Sequence, residues 1–500
     1  MNYLDVLRLV APQTILVIVA LVVLGLDVLV LREDAVRNRF WIGGAFAIVG
    51  CAVAMGWMLV MNVSTVAPGS LTAGVFTDDA VTRLVKFALL ALTICTIVLS
   101  TEGKFTTHVG EYLALILLAT VGMLLLVSST NLLMIFISLE TTSLSLYILT
   151  AFNKRNINSA EAALKYFLFG GMSAAFTLFG LSLIYGLSGS INLAEIGANL
   201  GGGGAKLDPL LLVALVMTVI GFGFKIAAVP FHLWAPDAYQ GAPTPSAALI
   251  ASGSKVASFF IFAKVMMIGF GPAMGSGSWK HFAPGWLPVL AIVAALSMVL
   301  GNLTAIAQTN VKRLLAYSAI AHAGYALLGL MANGPAGLSA LIYYVVTYGL
   351  TVVGAFGVVS VIEEKTGDAR LADFAGLSRR EPVLSFCMMI FMLSLAGIPP
   401  LAGFFGKFYL FTAAVSGAKD LGLLWLVILA IATSAVSLYY YLQVLKQIYV
   451  APISSGISGG KTPVSTKVVL CLIALAVVGL GCAPGFLLER LIAAIHSIGG

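Results

Sequence analysis

Leu210-Leu211-Leu212-Val213-Ala214-Leu215-Val216-Met217-Thr218-Val219-Ile220 runs without a charge into Gly221-Phe222-Gly223-Phe224-Lys225, and a proline follows at Val229-Pro230. Only Thr218 interrupts the apolar run, and the polar alternation of a membrane β-strand is missing, so the segment reads as a helix. Composition supplies its solvent. Of 500 residues, 60% are hydrophobic and only 9% charged, against roughly 25% charged in soluble domains. Similar runs recur from Thr14 onward, each close to the roughly 20 residues a helix needs to cross a bilayer. The sequence therefore predicts an all-α integral membrane protein.

About fourteen spans are expected, near residues 12–30, 40–62, 80–100, 110–128, 131–152, 160–187, 209–229, 243–270, 286–306, 311–331, 337–361, 383–416, 421–449 and 465–486. The odd-numbered connections hold fifteen basic residues, among them Arg32, Arg37, Lys154, Lys312, Arg379, Lys461 and Lys467. The even connections and the termini hold only Arg8, Arg83, Lys206, Lys280, Lys419 and Arg490. The positive-inside rule then puts the odd connections in the cytoplasm and both termini outside.

The formal charge of +7 is scattered between apolar runs, which argues against nucleic-acid binding. Residues 14–30 read as a retained first span, not a cleaved signal. Cys51, Cys95, Cys387, Cys471 and Cys482 lie in apolar runs without CxxC spacing, so packing is expected in place of metal or disulfide roles. Residues 201–204, all glycine, read as an exterior loop. Walker, GxGxxG, HExxH and nucleophile-elbow patterns are missing from suitable contexts, so ATP-driven or dinucleotide chemistry within the chain is not expected.

The middle of the chain repeats. Thr130-Asn131 answers Thr309-Asn310, 179 residues on, and Lys165-Tyr166-Phe167 leading to Phe179-Gly180 answers Tyr343-Tyr344-Val345 leading to Phe356-Gly357. An odd number of spans separates the partners, so two five-helix units of opposite orientation are expected, as in many transporters. The expected divisions are an N-terminal three-helix segment (1–109), repeats at 110–270 and 286–450, and a C-terminal helix and tail (451–500). Each repeat contains an interruption: residues 221–230, and Gly397-Ile398-Pro399-Pro400 through Gly403-Phe404-Phe405-Gly406-Lys407. Non-helical backbone at membrane depth is tolerated beside protein or water-filled cavities, so both breaks point to hydration.

Charges inside a membrane are costly and mark function. Glu140, among Ser138, Thr141, Thr142 and Ser143, is the leading acid, and Lys225 and Lys407 stand beside the two breaks. Lys255, in Ser252-Gly253-Ser254-Lys255, is a central relay candidate. Secondary candidates are the i, i+4 pair Glu161 and Lys165, the histidines His232 and His322, Glu111 near a span end, and Lys312. Local pairing alone would explain Glu161 and Lys165, topology alone would explain Lys312 and Arg313, and snorkelling would explain Lys264. Asp237 reads as a loop acid.

These residues resemble a known family, the antiporter-like membrane subunits of proton-pumping NADH:quinone oxidoreductase, respiratory complex I, over about residues 110–450. The resemblance rests on Lys225-Ile226-Ala227-Ala228-Val229-Pro230-Phe231-His232-Leu233-Trp234-Ala235-Pro236-Asp237-Ala238-Tyr239, with Ser138-Leu139-Glu140, Lys312-Arg313-Leu314-Leu315-Ala316-Tyr317-Ser318 and Gly397-Ile398-Pro399-Pro400 in support. It implies a proton path through Glu140, Lys225, Lys255 and Lys407. Lysine at positions 255 and 407, with a short tail after the last span, is most similar to the N type of these subunits. It further implies a bacterial inner-membrane location, neighbours including subunits M and K, and FMN, iron–sulfur clusters and quinone sites in partner subunits with no cofactor in this chain. The competing readings are an Mrp-type cation/proton antiporter subunit and a non-transporting scaffold.

Overall fold

The computed structural model describes residues 7–60, 74–201, 208–278, 281–417, 421–452 and 462–499. Lys206, Lys280, Lys419, Lys461 and residues 202–204 lie outside them. The N-terminal helices are α1 (Ala11–Leu29), α2 (Val36–Val60) and α3 (Ala80–Ser100). The first repeat-like series is α4 (Val109–Ser128), α5 (Leu132–Thr150), α6 (Ile157–Ser188), α7 (Leu193–Gly201), α8 (Pro209–Lys225), α9 (Trp234–Gly241), α10 (Thr244–Ala251) and α11 (Gly253–Lys264). The second is α12 (Trp286–Ile306), α13 (Val311–Met331), α14 (Gly334–Thr366), α15 (Leu377–Arg380), α16 (Pro382–Ala396), α17 (Ala402–Gly417) and α18 (Leu424–Tyr449), before α19 (Val464–Cys482) and α20 (Gly485–Gly499).

Among the described residues, twelve helices are long and apolar enough to cross a membrane, counting Thr244–Gly269 as one. They match twelve of the fourteen expected spans. The other two are not single long helices: α8 stops at Lys225, and the expected span 383–416 divides into α16 and α17 around residues 397–401. Proline explains both departures, because Pro230, Pro399 and Pro400 cannot donate to a helical ladder. The Val229–Pro230 and Pro399–Pro400 bonds are both cis.

The sequence repeat has a local structural counterpart. The Asn131 side chain accepts from the Leu133 and Met134 amides at the start of α5, and Asn310 accepts from Lys312 and Arg313 at the start of α13. Each asparagine thereby satisfies donors that a helix leaves orphaned. Each also pairs by an antiparallel bridge with a residue beyond the next long helix, Asn131 with Asn192 and Asn310 with Arg370. The intervening helices α6 and α14 have 32 and 33 residues, and both end at a left-handed glycine, Gly189 and Gly367.

The core is asymmetric. α10, α11, α13 and α14 are buried almost all round, as expected of helices apolar on every face. α1, α2, α6 and α19 instead expose large apolar side chains such as Leu21, Phe46, Phe167 and Leu475 outward. Two irregularities lie in the span that carries Lys255 and Lys264. Ser252 breaks it (φ −116°, ψ −83°), and Val265–Gly269 is a π turn. Neither was expected from an uninterrupted 243–270 span.

Candidate proton path

At the first break, α8 ends on Lys225, which is 9% exposed in its side chain. Its ammonium lies 3.6 Å from a carboxylate oxygen of Glu140 on α5 and donates to the Ser143 hydroxyl. The Ser143 hydroxyl itself donates to the Leu139 carbonyl at 2.5 Å. Its oxygen therefore faces the ammonium as a pure acceptor, which suits a charged lysine. Glu140 is 26% exposed, so the pair has one buried and one partly exposed member.

Deeper in the bundle, Lys255 follows the Ser252 break and donates to the Ala319 carbonyl on α13 at 2.8 Å. One turn along α13 is His322, whose Nδ1 lies 2.6 Å from the Tyr344 hydroxyl and whose Nε2 lies 3.1 Å from the Tyr441 hydroxyl. Tyr441 in turn shares a proton with Ser318 at 2.5 Å. Both imidazole nitrogens thus face groups able to donate or accept, so the ring can take up or release a proton without orphaning a partner. His322 lies within electrostatic reach of both Lys255 and Lys407.

Lys407 sits in α17 with 5% exposure and donates to the carbonyls of Leu395 and Ala396, at 3.0 and 3.1 Å, and to Ser434 at 2.8 Å. Those carbonyls end α16, where the helix dipole favours a cation. Its ammonium also faces the Tyr325 ring at 5.2 Å. Tyr325 belongs to a cluster with Asn302, Thr433 and, through Asn302, Tyr440. Lys225 precedes its break and Lys407 follows its own, so the breaks correspond more closely than the lysines do.

The secondary candidates separate into distinct places. Glu161 and Lys165 pair at 2.6 Å near the start of α6, both well exposed. Lys165 also binds Asp237 at 2.9 Å, and Arg313 binds the other oxygen of Asp237 at 2.6 Å. Asp237 therefore lies on α9 as an ion-pair hub and not on a loop. Lys312 is 2% exposed, donates to the Ala242 carbonyl and binds Glu363 at 3.0 Å, which a headgroup anchor would not do. Glu363 also accepts from Thr244. Glu111 is exposed beside His108 at 3.2 Å, apart from the buried series. His232 is partly buried, and its Nδ1 has no hydrogen-bond partner among the described residues. Lys264 is held by Thr77, Thr82 and the Val127 carbonyl.

Sequence reading missed Asp237, Glu363, Tyr344 and Tyr441 as members of these networks. It also missed the Lys86–Asp78 pair at 2.9 Å, in which Lys86 is 1% exposed. Only the placement of Asp237 inside the 225–239 motif offered a signal.

Broken helices, a repeated capping arrangement and a buried cationic series across two helical units define a membrane protein of the antiporter-like class. The comparisons agree. Residues 129–435 match the transmembrane family described as NADH:quinone oxidoreductase/Mrp antiporter. The chain is 52% identical over 499 residues to NADH-quinone oxidoreductase subunit N 2 of Acidobacterium capsulatum, covering 98% of this chain and 99% of the relative. A chain of respiratory complex I from Thermus thermophilus, solved with bound aureothin, superposes with a TM-score of 0.77 at 34% identity, covering 96% of this chain and 99% of that one. A chain of the Mrp complex from Dietzia sp. DQ12-45-1b gives a TM-score of 0.79 at 21% identity, covering 98% and 97%, a likeness of fold alone. The chain belongs to the subunit N family of NADH-quinone oxidoreductase, and it is a multi-pass membrane protein.

Proposed function

We propose that this chain translocates protons as the N-type membrane subunit of an NADH:quinone oxidoreductase, driven by quinone reduction elsewhere in that complex. The observation that carries this reading is the partly exposed Glu140 followed by the buried series Lys225, Lys255, His322 and Lys407, each member held by polar groups that fit a movable proton. An ammonium that loses its counter-charge in a low-dielectric site releases its proton more readily. Loosening the Glu140–Lys225 contact would send the Lys225 proton toward Lys255, then through His322 and water to Lys407. Asp237, Lys165 and Arg313 order the surface near the first break, and Lys312 with Glu363 braces the centre.

On this reading the other complex I subunits are the partners, M and K the neighbours, and FMN, iron–sulfur clusters and quinone belong to those partners. The chain would lie in a bacterial inner membrane, with odd connections cytoplasmic and both termini periplasmic. Glu161, His232 and Glu111 stay outside the primary series.

The test is pumping by the assembled complex in proteoliposomes energised with NADH and a quinone. Glu140→Gln and Lys225→Ala should each lower the protons moved per NADH oxidised. Unchanged stoichiometry in both variants would leave the chain a scaffold. Sodium/proton exchange by the purified chain alone would favour the Mrp-type reading.

A further inference from the structure

The membrane-boundary face where α2 begins, α3 and α14 end and α19 begins holds a charged cavity lined by none of the Glu140–Lys407 series. Its volume is about 690 Å³, and Arg37, Lys104, Lys365 and Lys467 line it together with Glu102 and Glu364. Lys365 and Lys467 are committed to the adjoining Glu381, at 3.0 and 2.9 Å. Arg37 and Lys104 meet their acids only at the surface, Arg37 with Glu102 at 3.5 Å and Lys104 with Glu364 at 3.2 Å. Their side chains are 68% and 85% exposed, so these pairs contribute little and yield readily to another anion. The four cations outnumber Glu102, Glu364 and Glu381 by one, which is the charge of a single phosphodiester.

A second cavity of about 350 Å³ lies beside the first and is almost wholly apolar. It lies between α2, α3 and α19, lined by Trp41, Gly44, Ala45, Ile48, Val98 and Val468. Val464 borders both cavities, and Thr101 and Ser465 on the apolar side adjoin Glu102 and Thr466 on the polar side. The polar cavity sits at the level of the helix ends. From Arg37 to Ile48 the groove descends about 16 Å along α2 at 1.5 Å per residue, close to half the hydrocarbon thickness. Trp41, 41% exposed, lines the apolar cavity one helical turn from Arg37, and indole rings favour a membrane interface. Ser465 adds a buried hydroxyl oxygen with no hydrogen-bond partner among the described residues.

We propose that these adjacent cavities bind one anionic glycerophospholipid, its phosphate between Arg37 and Lys104 and one acyl chain in the Trp41–Ile48 groove. Charge at the boundary and an apolar slot running inward from it match a lipid and not a free phosphate, which would use only the upper cavity. Basic pockets between membrane helices select anionic headgroups on the same grounds. The bound lipid would join the N-terminal helices to α14 and α19.

The probe is phosphatidylglycerol with a photoactivatable diazirine on its acyl chain, supplied in nanodiscs to the assembled complex, with adducts mapped by mass spectrometry. Adducts are expected on the peptides that contain residues 41–48 and 464–469. Arg37→Gln with Lys104→Gln should weaken labelling about thirtyfold, and Ala45→Trp, at an outward-facing position, should abolish it by filling the groove. All variants should assemble as the unsubstituted chain does, because the altered side chains are exposed. Equal labelling by a phosphatidylethanolamine probe would overturn the choice of an anionic headgroup. Labelling elsewhere only, including where a neighbouring subunit covers this face, would overturn the site.

Discussion

Lys225 reaches Glu140 from a different helix, at 3.6 Å, and at the same time donates to Ser143 one turn beyond that acid. Removing one member of a buried ion pair costs about 3–5 kcal/mol, because the other is left uncompensated. Glu140 is 26% exposed, so the loss from Lys225→Ala should fall below that range. The expected pattern is non-additive: Glu140→Ala, Lys225→Ala and the double variant should reduce pumping alike, by tenfold or more. A double variant that is worse by the product of the two single effects would show that the residues act separately.

Two tyrosines from different helices hold His322, a member of the proposed path. Tyr344→Phe and Tyr441→Phe each take a hydroxyl from the ring, and Tyr441→Phe also orphans Ser318. Leaving a buried polar group unpaired costs about 1–3 kcal/mol. Tyr441→Phe should therefore melt at a lower temperature than Tyr344→Phe, with both slowing proton transfer. Equal melting temperatures would remove Ser318 from the network.

Asp237 holds Lys165 with one oxygen and Arg313 with the other, tying α9 to α6 and α13. Glu161 hangs at the exposed end of the same network. Asp237→Asn should lower stability by about 1–3 kcal/mol, because it weakens two charge-assisted hydrogen bonds. Glu161→Gln removes only a surface pair, worth about 0–1 kcal/mol. Thermal denaturation in detergent compares them, and a larger effect from Glu161→Gln would contradict this placement.

What the sequence made legible and what it hid follow from range. The breaks at Pro230 and Pro399-Pro400 announce themselves locally, since proline cannot continue a helix and lysine beside it is costly in lipid. Glu140 stands out for the same reason. Its contact with Lys225 crosses 85 positions, beyond the reach of any local pattern, and Lys312 with Glu363 crosses 51. Nothing in the local pattern of Lys312 distinguishes a buried brace from a headgroup anchor. Tyr344 and Tyr441 lie in apolar runs where aromatic residues are ordinary packing, so only the folded positions make them partners of His322. The division of 383–416 into α16 and α17 is visible as a break at Pro399-Pro400, whereas apolar length alone favours one interrupted span.

Glu381, outside the spans, gives a prediction in pH. Burial pushes its carboxyl up, but hydrogen bonds from Lys467, Lys365 and Thr462 outweigh this and hold it at about 2, below its ordinary 4.5. A carboxylate depressed by folding adds stability that is complete above its unfolded value and disappears as pH falls through its folded one. Glu381→Gln should therefore lower the melting temperature at neutral pH. The gap between it and the unsubstituted chain should narrow between about pH 5 and pH 2. A gap independent of pH would show that packing, not charge, is what the substitution disturbs.

Gly403 controls where Lys407 points. A Cβ at this position would lie 1.9 Å from the Ser394 carbonyl oxygen, and the Gly403 amide donates to the Ser394 hydroxyl at 3.2 Å. α17 can therefore approach the last turn of α16 only with glycine there. Lys407 follows one turn later, near enough to bind the Leu395 and Ala396 carbonyls. Gly403→Ala must move α17 away, at a cost of about 1–3 kcal/mol, and take the ammonium off those carbonyls. Its pumping should fall as far as that of Lys407→Met although the lysine is still present. Gly479→Ala, which would meet nothing within 4 Å, is the neutral control. If Gly403→Ala pumped normally while Lys407→Met did not, the carbonyl contacts would be dispensable and the charge alone would matter.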